Sequence, residues 1–127
     1  MACPEQVLEF WFETLTPADH FSGEQRVDEM ITSRFHEVWM QAAGGGHSAW
    51  EQCPEGALAL IILLDQFPRN MFRASGQSFH SDALAREVAN RAIERGFDMR
   101  INEPKRLYFY MPFMHSEQLD DLSLIHI

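Results

Sequence analysis

Eight consecutive apolar residues, Ala57–Leu64, lie between Pro54 and Pro68, and this run constrains the chain more than any other feature. A proline suits the first turn of a helix, where its missing N–H costs nothing, so Pro54 predicts a helix over 55–66. The run is apolar on nearly every side, as in a helix buried all round. A buried parallel strand is the competing reading of such a run. Its length, its Ala and Leu content and the lack of strand partners elsewhere favour the helix. Pro68 disfavours helical geometry at Phe67 and is expected to end the element there. Directly after the run comes Asp65-Gln66-Phe67-Pro68-Arg69-Asn70, so a dense polar set is tied to the most buried part of the chain.

Other helices are legible around this one. After Pro4, residues Val7, Leu8, Trp11, Phe12 and Leu15 recur at helical spacing, and Thr16-Pro17 closes the element. Between Ser22 and Ala43, Val27, Ile31, Phe35, Val38, Trp39 and Ala42 form one stripe, with Asp28, Glu37 and Gln41 off it. Gly44-Gly45-Gly46 stops that helix, since three glycines make continuation entropically costly. Ser81 is placed as an N-cap, with Asp82 in the first turn and Gly96 at the C′ position. A last helix is expected from Asn102-Glu103-Pro104 through Met114, kinked at Pro112. Five helices with short connections predict an all-α fold of antiparallel neighbours.

Composition narrows the function. The net charge of −9 argues against a nucleic-acid partner, whose phosphates need clustered Lys and Arg. Eight apolar residues are far short of the ~20 that span a bilayer, so no membrane partner is expected. The start of the chain has no basic region of a signal peptide, and Cys3 and Cys53 make no disulfide framework. A cytoplasmic location is therefore expected. The charge is uneven: residues 1–64 hold ten acids against Arg26 and Arg34, whereas most bases fall in 65–106. The simpler reading is a solvated acidic face; the sharper one is that Arg69, Arg73, Arg86 and Arg91 line an anion site.

Three stretches carry a family resemblance. They are Val7-Leu8-Glu9-Phe10-Trp11-Phe12, Asp65-Gln66-Phe67-Pro68-Arg69-Asn70 and Tyr110-Met111-Pro112-Phe113-Met114-His115-Ser116-Glu117. From about Val7 to Asp121 the chain resembles the bacterial domain of unknown function 924 family. The resemblance implies a tetratricopeptide-like α-α superhelix of antiparallel helix pairs and brings no reaction with it. The family pattern continues into further helices, whereas Leu122-Ser123-Leu124-Ile125-His126-Ile127 resembles a translated transposon mosaic-end adapter. Residues 1–121 are thus expected to be the N-terminal portion of one incomplete helical domain, with 122–127 a non-native tail. The cut is expected to leave an apolar face uncovered around Tyr108 to Met114.

The candidate ligand-binding residues are Asp65, Gln66, Arg69, Asn70, His115 and Glu117. One reading is structural: an Asp65–Arg69 pair, or Gln66 and Asn70 capping the helix end. The other brings these groups into one pocket, with Arg69 anchoring an anionic group and His115 and Glu117 moving protons. His115 and Glu117 are two apart, which does not suit a metal pair, and no metal or cofactor is expected. A triad of Ser116, His80 and Asp65 lacks the strand–turn–helix elbow around its serine. Two function classes follow: a tetratricopeptide-like module for a protein or peptide partner, or a small-molecule enzyme or metabolite-binding protein for a small anionic ligand. The second requires Arg69 and His115 to face one cavity.

Overall fold

The structure is a computed structural model that describes residues 3–20, 22–73 and 75–115. Helix α1 (Pro4–Glu9) runs directly into a π-helical turn, Phe10–Thr14, and is followed by the short α2 (Pro17–His20) and the long α3 (Gln25–Ala43). A 3₁₀ turn (Ser48–Gln52) leads to α4 (Pro54–Ile61), a second π turn (Ile62–Gln66) and α5 (Phe67–Met71). After another 3₁₀ turn (Gly76–Phe79) come α6 (Asp82–Glu94), 3₁₀ turns at Asp98–Arg100 and Lys105–Phe109, and α7 (Met111–Met114). No strand occurs among the described residues, so the all-α expectation holds and the strand reading of 57–64 does not. No described helix is long and apolar enough to cross a membrane.

The apolar run is the centre of the core. Every residue from Ala57 to Leu64 is buried, with α1 and α6 packed on α4 and α3 packed on α5. The α3 stripe contributes Val27, Ile31, Phe35 and Trp39 to the same core. Edge-to-face contact between Phe10 and Phe35, with centroids 5.2 Å apart, ties α3 to the first π turn. At the end of α6, Gly96 takes φ 75°, its N–H bonds Ile93 O, and the Phe97 N–H reaches Ala92 O at 3.0 Å. That is the expected glycine stop, built as a Schellman motif.

Pro68 does not end the central helix, contrary to the sequence expectation. Phe67 keeps helical angles (φ −62°, ψ −41°) because the π turn takes in an extra residue just before the proline. The Phe67 N–H reaches back to Ile62 O, and the axis continues into α5. Pro68 has no N–H to give Leu64 O, its partner in an ordinary α-helix. The Ser81 hydroxyl fills that role, donating to Leu64 O at 2.6 Å while accepting the Trp39 indole N–H at 3.0 Å. Ser81 therefore stands at the N-cap of α6 without capping it. Left unpaired, a carbonyl buried this deeply would cost about 1–3 kcal/mol.

The end of the described chain also departs from expectation. There is no single kinked helix over 102–114; Pro112 lies in the first turn of the separate α7. Nor is an apolar face uncovered there. Tyr108, Phe109, Met111 and Phe113 are buried, and only Leu107 and Met114 are exposed. Residues 122–127 lie outside the described residues.

Candidate functional site

The second π turn and α5 form the floor of the site. Residues four apart on a helix stack on one face, and two such pairs bond here. Arg69 Nη1 donates to Asp65 O at 2.8 Å and to Asp65 Oδ1 at 2.9 Å. Gln66 Nε2 donates to Asn70 Oδ1 at 3.0 Å. Each pair then finds a partner from a distant element. Arg69 forks onto the Asp82 carboxylate with two 3.0 Å bonds, and Asn70 Nδ2 donates to Asp28 Oδ1 at 3.0 Å. Asp28 also takes Arg73 Nε at 2.7 Å and Nη2 at 3.0 Å. Burial works against ionising Asp28, but the bonds from Arg73 and Asn70 outweigh it and hold its pKa below the usual carboxylate value.

His115 meets this floor from the end of α7. Its Nδ1 lies 3.0 Å from the Asp65 carboxylate. A carboxylate already paired with a guanidinium only accepts, so Nδ1 carries the proton and Nε2 is left as an acceptor with no partner among the described residues. His20, Gln66, Arg69, Asn70, Arg73 and His115 together line one cleft of about 200 Å³. Arg69 and His115 thus face the same cavity. Gln66 itself is only 6% exposed, and its Oε1 is a buried acceptor with no donor among the described residues. The chain Gln66 to Asn70 to Asp28 fixes both amides, because Asp28 must receive the Asn70 N–H.

Trp11 and Tyr108 hold His20 in the wall of the cleft. The Trp11 and His20 rings stack with centroids 4.2 Å apart and 6° between planes. His20 Nε2 donates to the Trp11 carbonyl, and Nδ1 lies 3.5 Å from the Tyr108 hydroxyl, which the Trp11 side chain also reaches. His20 is therefore a fixed surface, and His115 is the imidazole with a nitrogen to spare.

Burial raises the Tyr108 phenol above its ordinary pKa, against the opposing Trp11 bond. Tyr110 is pushed up to about 12, first by burial and then by its hydrogen bond to Asp98. These are the chain's two tyrosines. A phenol with a raised pKa in the fold contributes stability that is full below about pH 10, the unfolded value, and is lost as pH rises toward 12. Tyrosinate absorbance of the folded protein is thus expected to appear only above the usual range. In urea the same titration should return to about pH 10. A folded-state midpoint at pH 10 would contradict this.

Several expectations need correction. The structural Asp65–Arg69 pair forms, but Gln66 and Asn70 do not cap a helix end, because the helix does not end there. The triad that the sequence already disfavoured gains no support, since His80 packs beside Trp39, with centroids 6.0 Å apart, while Asp65 takes His115. Arg91 is engaged by Glu51 at 2.9 Å and is not among the residues that line the cleft. Glu117, like Ser116, lies outside the described residues. Sequence reasoning missed His20, Asp28 and Asp82. Among the described residues, no group of three His, Cys, Asp or Glu side chains could hold a metal ion.

The family with the description "Bacterial protein of unknown function (DUF924)" matches residues 7–126. A solved structure of a protein of unknown function from Agrobacterium tumefaciens superimposes with a TM-score of 0.91 at 35% identity. The match covers 95% of this chain and 68% of that one. No curated protein matches the chain.

Proposed function

We propose, on the premise that the chain belongs to the bacterial DUF924 family, that its cleft binds a small polar molecule and that His115 exchanges a proton with it. One observation carries the reading: an Asp65–His115 pair opens onto the cleft that Gln66, Arg69 and Asn70 also line. Asp65 orients the imidazole through Nδ1, and Arg69, held by Asp65 and Asp82, keeps that carboxylate in place. A bare Nε2 at the cleft is then placed to take a proton from a bound molecule. Whether turnover follows binding depends on the ligand's own chemistry. The free cysteines Cys3 and Cys53 fit a cytoplasmic setting.

The alternative is a tetratricopeptide-like module for a protein or peptide partner, and helix pairing such as α4 with α6 supports it. The size of the cleft favours the small molecule. About 200 Å³ falls below the ~300–1,000 Å³ of drug-sized pockets and suits a compact metabolite. A thermal-shift screen against small metabolites tests the reading. A ligand at a hundred times its Kd adds about 2.7 kcal/mol to stability, an easily measured shift. Hits are expected to weaken at least about tenfold in His115→Ala and Asn70→Ala, each judged against its own unliganded melt. Hits that bind both variants as well as wild type would place the ligand elsewhere.

A further inference from the structure

We infer that the cleft is shaped for a small monocarboxylate that carries a hydroxyl or amino group beside its carboxylate. This rests on the small-molecule reading above and names the ligand's chemistry. Three features of the cleft point to it. The first is Gln66, which lines the cleft and whose Oε1 is buried without a donor among the described residues and fixed in orientation by Asn70 and Asp28. Such an atom gains most from a ligand O–H or N–H, and His115 Nε2 offers a second acceptor on the same cleft. The second is Arg73, whose side chain is half exposed. Asp28 engages its Nε and Nη2, which leaves Nη1 for a carboxylate oxygen. Arg69 is a poorer anchor, because Asp65 and Asp82 already share its guanidinium.

The third feature is charge. Asp28, Asp65 and Asp82 face two guanidinium groups, so the network keeps one excess negative charge while both histidines are neutral. A phosphate dianion is disfavoured in that field, whereas a singly charged carboxylate with a donor group beside it matches both ends of the cleft. The cleft's volume of about 200 Å³ suits a ligand of a few carbon atoms.

A matched three-carbon set tests this on the full chain: L-lactate, L-alanine, propionate, 1,2-propanediol and inorganic phosphate. Binding is read from the His115 ring resonances in NMR titrations. Lactate or alanine is expected to bind about tenfold more tightly than propionate and propanediol, since only they satisfy both ends. Gln66→Met should erase the preference over propionate. Arg73→Met, at a half-exposed position, should weaken lactate and propionate alike and leave their ratio unchanged. Propionate binding as well as lactate, or a preference that survives Gln66→Met, overturns the inference. Propanediol or phosphate binding in place of lactate and alanine also overturns it, yet leaves the small-molecule reading standing. If no probe moves His115, the inference is overturned and the broader screen decides that reading.

Discussion

Asp65→Ala is expected to destabilise the fold by about 3 kcal/mol, the lower end of what removing one partner of a buried ion pair costs. Asp65 is 2% exposed and holds both Arg69 and His115. Its loss leaves a guanidinium and an imidazole facing a void. The figure falls at the low end because Asp82 still holds Arg69 with two bonds. Asp65→Asn should cost less, since a carboxamide oxygen still accepts one bond. In urea unfolding the midpoint should fall at unchanged slope, which marks a change in stability rather than in compactness. A loss below about 1 kcal/mol would mean that the pair is peripheral to the fold.

Gly56→Ala is expected to cost about 3 kcal/mol, at the upper end for overpacking a core. A Cβ at Gly56 would stand 2.1 Å from the Trp50 carbonyl oxygen and 3.0 Å from its carbon. The obstacle is backbone, so no side-chain rotation relieves it. The first turn of α4 would have to move off the Ser48–Gln52 turn on which it packs. Since α4 is the buried centre of the fold, that shift would spread into α1 and α6. Gly76→Ala is the control, because nothing lies within 4 Å of its Cβ position. It should be neutral or slightly stabilising, through the lower entropy of the unfolded chain. Equal melting of the two variants would contradict the close approach at Trp50.

What was legible in the sequence follows from the range of each signal. The apolar run, the α3 stripe and the Gly96 stop are local patterns, and each formed as read. The π turns left no such trace. A turn with one extra residue has no compositional mark, and the pre-proline rule argued against helix at Phe67. The proline is tolerated only because Ser81, 17 positions along the chain from Leu64, supplies the missing donor. That compensation is tertiary and invisible to a local rule.

The site divides in the same way. Asp65–Arg69 and Gln66–Asn70 are four apart on one helix, so their stacking could be read from spacing alone. His115 lies 50 positions from Asp65, so spacing could offer their meeting only as one of two readings. Asp28 lay off the apolar stripe of α3 and read as solvent-facing, yet it joins Asn70 and Arg73 from 42 and 45 positions away. Asp82 looked like a dipole partner for α6 and proves to clamp Arg69. His20 sits in an unremarkable stretch, and only its stacking on Trp11 marks it.

The central claim is that buried Asp65 presents His115 to the cleft with Nδ1 protonated and Nε2 bare. Proton–nitrogen correlation NMR of the histidine side chains reads that tautomer directly. The structure predicts that neutral His115 is the Nδ1–H form in the wild-type protein and loses this preference in Asp65→Asn. A neutral His115 with its proton on Nε2, or a tautomer unchanged by Asp65→Asn, would contradict the claim.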